Sequence, residues 1–153
     1  MYEGGVRVPF AIRWPAALPS GKIVDAPVIS MDIFPTALAA AGATHSGKPL
    51  DGVNLLPFLQ GKAPAPERAL YWRTFGGVDG AVREGRWKWV KRGNGGVGEL
   101  YDLGADHQEQ NDLAAARPAE AKRLETLWTQ WSGQMAKPAW LDHIFDRERL
   151  GHK

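Results

Sequence analysis

Gly80-Ala-Val-Arg-Glu-Gly-Arg-Trp-Lys-Trp-Val-Lys-Arg92 is the stretch of this chain that decides its fold. Apolar and charged residues alternate along both halves of the stretch, and this period of two is typical of β-strands. Glu84-Gly-Arg86 separates the halves, and two alternating runs around a turn that contains glycine predict a β-hairpin. Because successive side chains of a strand point to opposite faces, Trp87 and Trp89 are expected on one face and Lys88 on the other.

Further elements lie on either side of this hairpin. Residues 69–74 and 99–103 form short runs that predict two more strands. Pro118 suits the first position of a helix. The apolar residues after it recur at spacings of three, four and seven, namely Ala121, Leu124, Leu127, Trp128, Trp131 and Met135. They predict an amphipathic helix over residues 118–135. We therefore expect an α+β fold, in which a small antiparallel β-sheet is packed by a long C-terminal helix.

The first part of the chain follows a different pattern. Residues 6–14 alternate between larger apolar residues and polar or small ones, and they predict a strand. Residues 32–41 predict a helix for which Ser30 or Asp32 is a suitable N-cap, since either side chain can accept a free N–H of the first turn. Residues 61–66 are rich in glycine and proline, and they predict a linker between two domains.

Composition limits the classes of function. The 153 residues fit one domain, or one domain with part of another. A net charge of +2 is too small by itself to indicate binding to nucleic acid or to an anionic membrane. No apolar run reaches the ~18 residues of a membrane span, and we expect no signal peptide. Cysteine is absent, which excludes disulfides, thiolate metal sites and a cysteine nucleophile. The compartment stays open.

Five segments in one order along the chain carry a family resemblance. They are Glu3-Gly-Gly-Val-Arg-Val-Pro9, Ser30-Met-Asp-Ile-Phe-Pro-Thr36, Asp51-Gly-Val-Asn-Leu-Leu-Pro-Phe-Leu-Gln-Gly61, Ala81-Val-Arg-Glu-Gly-Arg-Trp-Lys88, and Glu99-Leu-Tyr-Asp-Leu103 with Glu109 and Asn111-Asp-Leu-Ala114. Each segment alone is weak evidence. Together, at these spacings, they closely resemble the late part of a sulfatase, an arylsulfatase-type sulfuric-ester hydrolase. The resemblance covers the C-terminal portion of that family only.

The resemblance implies a division into two domains. Residues 1–62 would be the C-terminal remnant of a large, alkaline-phosphatase-like α/β domain, namely its closing strand and helix. Residues 63–153 would be the small C-terminal domain, with a four-stranded antiparallel sheet, the helix at 118–135 and a charged tail. A strand and a helix without the rest of their sheet leave an open edge and an apolar face. We therefore expect self-association, or docking to the missing catalytic domain.

The resemblance also implies a chemistry. Sulfatases use a formylglycine nucleophile made from Cys or Ser in a Cys/Ser-x-Pro/Ala-x-Arg motif, and they hold a divalent cation, usually calcium, through Asp and Asn oxygens. The motif does not occur in these 153 residues, nor does a cluster of aspartates. The lysine that binds sulfate in the family would fall just before Met1. We therefore expect no catalytic residue, metal ligand or cofactor in this chain, and no activity from the chain alone.

A few residues are candidates for a functional site. By resemblance, Glu3 and Arg7 border the active-site cleft, so Arg7 is a candidate substrate-binding residue. Glu3, Gly4 and Gly5 would then have a supporting or structural role. The alternative is that the glycines make a tight turn and that Arg7 bridges buried carbonyl groups. His143 is a further candidate for contact with the substrate, whereas the other histidines show no metal-ligand spacing.

A basic aromatic set in the predicted sheet leaves another function open. Its members are Trp72, Arg73, Arg83, Arg86, Trp87, Lys88, Trp89, Lys91 and Arg92. Such a face can stack sugars or bases, so the alternative function is a non-catalytic module that binds a sulfated or acidic glycan or a partner chain. The other interpretation is that the rings pack beneath the helix while the charges are solvated. We expect neither nucleic acid nor a membrane as a partner.

Overall fold

The computed structural model describes residues 1–74, 77–93 and 95–136. The chain divides into two compact units. The sheet unit comprises Met1–Val8 together with the chain from Arg68, and the loop-rich unit comprises Pro9–Glu67. The first eight residues therefore belong, by their contacts, with a sheet that begins some sixty residues later in the chain.

The sheet unit is built on four antiparallel strands in the order β1-β2-β3-β4. Their bounds are Ala69–Arg73 for β1, Gly80–Glu84 for β2, Trp87–Lys91 for β3 and Glu99–Asp102 for β4. Glu84 pairs with Trp87, so a two-residue turn closes the predicted hairpin. Gly85 in that turn has φ 57°, a left-handed conformation that glycine adopts without steric cost. The predicted antiparallel sheet is confirmed.

One long helix covers one face of this sheet. Helix α4 spans Pro118–Gly133, within the predicted range of 118–135. The core between helix and sheet consists of Val82, Trp89, Leu100, Leu124 and Trp128, all of them buried. Met135 lies beyond the helix end and is exposed, so its predicted place on the apolar face was wrong. The rest of the apolar spacing is confirmed as the buried side of the helix.

The opposite face of the sheet is covered as well. Ala81, Val90, Tyr101 and Leu103 form a second buried cluster there, and the side chains of Met1, Tyr2 and Trp72 pack against it. Both faces of the sheet are therefore shielded from water, one by α4 and the other by the first residues of the chain. No helix among the described residues has the length and apolar character needed to cross a membrane.

The predicted strand over residues 6–14 is wrong. Helix α1 spans Glu3–Val6, and residues 7–14 contain no strand. A strand exists only when a neighbouring strand pairs with its backbone, and within the described parts of the chain no segment does so. The alternation remains visible as exposed apolar side chains, because Val8, Phe10 and Ile12 are between 42% and 69% exposed.

Two polar side chains, Asp32 and Thr36, form the hydrogen bonds that organise the loop-rich unit. A short 3-10 turn, Ser30–Asp32, leads into α2 at Ile33–Ala40, which confirms the predicted helix. The predicted capping is wrong, because the Asp32 side chain makes no cap bond to α2. The buried Asp32 carboxylate instead accepts the N–H groups of Ile29 and Val53, each at 2.9 Å.

Thr36, within α2, connects this helix to the next one. Its Oγ1 accepts the N–H of Leu55 at 3.0 Å, just before the short helix α3. That helix spans Leu56–Leu59.

Candidate functional site

Four charged side chains meet on the face of the sheet that α4 does not cover. Lys88, in the middle of β3, is completely buried, and its Nζ lies 2.8 Å from Glu3 Oε1 and 2.8 Å from Glu109 Oε1. Arg83 on β2 lies 3.6 Å from the second carboxylate oxygen of Glu3. We call Glu3, Arg83, Lys88 and Glu109 the buried charge cluster.

The positions of Arg83 and Lys88 in the sheet explain why two carboxylates lie beside them. Arg83 and Lys88 are direct cross-strand partners in the β2–β3 ladder, and like charges in that position repel each other. A buried ammonium also costs several kcal/mol unless it is paired and hydrogen-bonded. Glu3 interacts with both cations, and Glu109 adds a second carboxylate at the lysine. The predicted face for Lys88 is confirmed, but its predicted solvation is wrong.

Glu109 also binds the backbone of Glu3. Its Oε2 accepts the N–H of Glu3 at 2.5 Å, while its Oε1 faces Lys88. Glu109 has φ 55°, a left-handed conformation that costs a non-glycine residue roughly 1–2 kcal/mol. The loop around it is fixed by Asp106, whose carboxylate accepts the N–H groups of Gln110 and Asn111. These bonds lower the pKa of Asp106.

Tyr2 fixes the segment at a second point. Its hydroxyl donates to Glu99 Oε2, which also accepts the Tyr101 hydroxyl at 2.9 Å. The two rings meet edge to face at 6.2 Å, and the Arg92 guanidinium lies over the Tyr2 ring. Burial, followed by the hydrogen bond to Glu99, raises the pKa of both Tyr2 and Tyr101. Both hydroxyls therefore remain protonated donors at neutral pH.

Tyr2→Phe is expected to lower the free energy of unfolding by about 0.5–1.5 kcal/mol at neutral pH, because one hydrogen bond to Glu99 is lost. The raised pKa of Tyr2 gives stability that is complete below the unfolded value of about 10 and is lost as the pH rises through the folded pKa. The difference between the two proteins should therefore shrink above about pH 10. Denaturant titrations at rising pH measure it, and a difference that stays constant with pH would contradict this assignment.

The residues that follow Glu3 are open to solvent. Gly4, Gly5 and Arg7 are exposed, and an added Cβ at either glycine would meet no atom within 4 Å. Neither glycine has a left-handed φ, so the described residues give no conformational reason for glycine here. The two glycines lie in a tight turn, in which the Tyr2 carbonyl accepts the N–H of Gly5 and the Glu3 carbonyl that of Arg7, each at 2.9 Å. The Arg7 side chain makes no hydrogen bond or ion pair within the described ranges.

The remaining candidates do not converge on this site. His143 lies outside the described residues. His45 bonds to a neighbouring backbone carbonyl in an exposed loop, and His107 is exposed. Among the residues that the structure describes, no group of three or more His, Cys, Asp or Glu side chains could hold a metal ion. The described residues therefore offer no carboxylate cluster that fits a calcium site, and the sequence has no formylglycine motif.

The basic aromatic set is divided between the two faces of the sheet. Trp89 packs against Trp128 at 5.8 Å on the helix face, whereas Trp72 lies on the opposite face with the buried Lys88. Arg86 is paired with Asp102. The tryptophans of the set therefore do not share one face of the sheet. The interpretation in which the rings pack beneath the helix holds for Trp87 and Trp89.

Comparison with known proteins gives one family. The family model described as N-sulphoglucosamine sulphohydrolase, C-terminal, matches residues 1–136. The steryl-sulfatase of Mus musculus is 46% identical over 67 residues, which cover 43% of this chain and 11% of that protein. An uncharacterized sulfatase of Schizosaccharomyces pombe is 31% identical over 145 residues, which cover 86% of this chain and 26% of that protein.

Two solved structures superpose on most of this chain. The crystal structure of Ps i-CgsB superposes with a TM-score of 0.76 at 26% identity, and its complex with k-i-k-neocarrahexaose with a TM-score of 0.74 at 27% identity. Both comparisons cover 90% of this chain and 32% of the other. The chain therefore spans about a third or less of the length of each of these proteins.

Proposed function

This chain belongs to the sulfatase family, and we propose that it is the C-terminal part of an enzyme that hydrolyses sulfate esters. The observation that carries the proposal is the exposed Arg7, which one backbone turn connects to Glu3, a residue held by the buried charge cluster. A guanidinium can donate two parallel N–H bonds to the oxygens of an anion. A sulfate group presents oxygens that suit such a pair of donors.

The proposed role of the chain is to bind and to orient the substrate. Glu3 fixes the segment, Arg7 contacts the sulfate group, and the exposed Gly4 and Gly5 leave room beside it. His143 stays a candidate contact from the sequence alone. In the family, calcium and formylglycine supply the electrophilic stabilisation and the nucleophile. Neither group fits the described residues of this chain, so we propose that both belong to another part of the enzyme and that the chain alone is inactive.

The domain division is part of this proposal. Residues 1–62 would complete the large α/β domain, and residues 63–153 would form the small domain. Met1–Val8 would then be the part of the first segment that packs with the small domain. The loop-rich unit supports this division, since seven of its large apolar side chains are exposed to solvent. They are Phe10, Ile12, Ile23, Met31, Ile33, Phe34 and Leu50. Such a surface suits contact with the remainder of the enzyme.

The isolated 153-residue chain is expected to self-associate through that exposed apolar surface. Size-exclusion chromatography with light scattering should give a mass at least twice 16.8 kDa. Phe10→Ser combined with Ile12→Ser should shift the chain toward the monomer, because it removes apolar area from the surface. Val97→Ser is the matched control, since Val97 is 89% exposed but belongs to the sheet unit. A chain that is monomeric at every concentration would contradict the expectation.

Arg7→Ala tests the proposed function in the enzyme that carries this chain. The variant is expected to lower kcat/KM for sulfate-ester hydrolysis by roughly 10²–10³-fold, the usual effect of removing a donor to developing negative charge. Arg7→Lys should recover part of the loss, because it keeps the charge without the planar pair of donors. Arg13→Ala is the control, since Arg13 is also exposed but lies in the other unit. Equal rates for Arg7→Ala and Arg13→Ala would contradict the role of Arg7.

A further inference from the structure

Two residues of the sheet unit are in energetically unfavourable states, and both contact the first residues of the chain. Lys88 is completely buried, and a buried ion pair is frequently no more stabilising than apolar residues of the same volume. Glu109 is held in the left-handed conformation at φ 55°, and strained backbone of this kind collects at functional sites. Stability alone therefore gives a poor account of why these two residues are present.

Both features act on the same residue, Glu3. Lys88 Nζ contacts its carboxylate at 2.8 Å, and Glu109 Oε2 accepts its backbone N–H at 2.5 Å. The side chain and the preceding peptide of Glu3 are thus both fixed, by two residues that also pair with each other. Two fixed points define the orientation of the chain as it leaves Glu3, which a single contact would not do.

The backbone of α1 connects the fixed Glu3 to Arg7. The Glu3 carbonyl accepts the N–H of Arg7 at 2.9 Å, closing the single turn of α1. The same turn is held by Tyr2, whose carbonyl accepts the N–H of Gly5 at 2.9 Å. The Arg7 side chain makes no hydrogen bond or ion pair within the described residues. Glu3 and the neighbouring Tyr2 therefore hold the backbone turn that leads to Arg7.

We propose that Lys88 and Glu109 are positioning residues, which act through Glu3 to set the place of Arg7 relative to the sulfate group of the substrate. The proposal rests on the proposed function, because it takes Arg7 as the substrate-binding residue. The small sheet would thus contribute to the reaction by positioning Arg7, although we propose no reacting group on its strands. A misplacement of about 1 Å in such a group costs on the order of 10²-fold in rate.

The first test is made on the 153-residue chain by nuclear magnetic resonance. In Lys88→Met and in Glu109→Ala, the amide signals of Gly4, Gly5 and Arg7 should move and gain the narrow lines of a mobile segment. Glu109→Gln keeps an acceptor for the Glu3 N–H and should change these signals less. Glu109→Ala keeps the test available if Lys88→Met does not fold. Unchanged amide signals from residues 4–7 in Glu109→Ala would overturn the proposal.

The second test separates positioning from stability in the enzyme that carries this chain. Glu109→Ala and Lys88→Met should lower kcat/KM for a sulfate ester about 10- to 100-fold, whereas Glu109→Gln should recover most of it. Val82→Ala is the matched control, because it removes buried volume on the opposite face of the sheet without touching the segment. An equal loss in Val82→Ala would overturn the proposal and leave only a structural role.

The two failures are distinguishable. If the unsubstituted enzyme does not hydrolyse any sulfate ester, the proposed function fails, and the role of Lys88 and Glu109 in the reaction fails with it. If the unsubstituted enzyme is active and its Glu109→Ala variant is equally active, only the positioning proposal is overturned.

Discussion

Lys88→Met is expected to lower the free energy of unfolding of the sheet unit by about 3–5 kcal/mol. Methionine has a similar length but carries no charge, so the carboxylates of Glu3 and Glu109 would remain buried without the ammonium that now lies 2.8 Å from each. Leaving a buried charge without its partner costs more than the ion pair itself contributes. Denaturant titration followed by tryptophan fluorescence measures the loss.

A double-mutant cycle tests the physical reason for that loss. Adding Glu3→Gln to Lys88→Met should cost less than the sum of the two single variants, because both act on one network. Lys122→Met is the matched control: Lys122 is also paired with a glutamate, but its side chain is 75% exposed. Exposed pairs contribute only about 0–1 kcal/mol. If Lys88→Met were as mild as Lys122→Met, the buried charge cluster would not hold the first residues on the sheet.

Trp128→Ala is expected to have an effect of similar size on the helix side, about 3–5 kcal/mol. Trp128 is 6% exposed and packs against Trp89, and its indole N–H donates to the carbonyl of Trp72 at 3.0 Å. Alanine removes a buried indole from the core and leaves that carbonyl without the indole N–H. The same fluorescence titration measures the change through the remaining tryptophans.

A double-mutant cycle of Gly80→Ala with Trp128→Ala tests the packing behind this second prediction. A Cβ at residue 80 would overlap the indole of Trp128, so Gly80→Ala should destabilise the sheet unit by about 1–3 kcal/mol. In the Trp128→Ala background the overlap disappears, and Gly80→Ala should then be tolerated or even favourable. Trp131→Ala is a milder comparison, because Trp131 is half-buried and stacks on Tyr71 at the margin of the core. Additive losses for Gly80→Ala and Trp128→Ala would contradict this packing.

Periodicity predicted the sheet unit well, for a physical reason. The hairpin around Gly85 and the helix over residues 118–135 are held by contacts that recur at short, regular spacings, and such spacings are visible in one sequence. The N-terminal alternation over residues 6–14 failed because pairing, which turns an extended segment into a strand, depends on a partner elsewhere. A pattern can show that a segment is suited to a strand, but it does not show that a neighbour is present.

The candidate site was only partly predictable. The family resemblance singled out Glu3, but its partners Lys88 and Arg83 were expected to be solvated because charged residues in an alternating strand usually are. Lys88 shares its face with the apolar Val90 and stands opposite another cation, and that combination was the available signal. The conformation of Glu109 carried no such signal, since left-handed residues are ordinarily glycine or asparagine.

One measurement tests the central claim most directly: sulfate-ester hydrolysis by the protein isolated from its native source with an antibody against these 153 residues. The isolated protein should hydrolyse p-nitrophenyl sulfate or a sulfated oligosaccharide in the presence of calcium, and its mass should be well above 16.8 kDa. The purified 153-residue chain should show no turnover under the same conditions. Robust turnover by that chain alone, or no turnover of any sulfate ester by the isolated protein, would contradict the account.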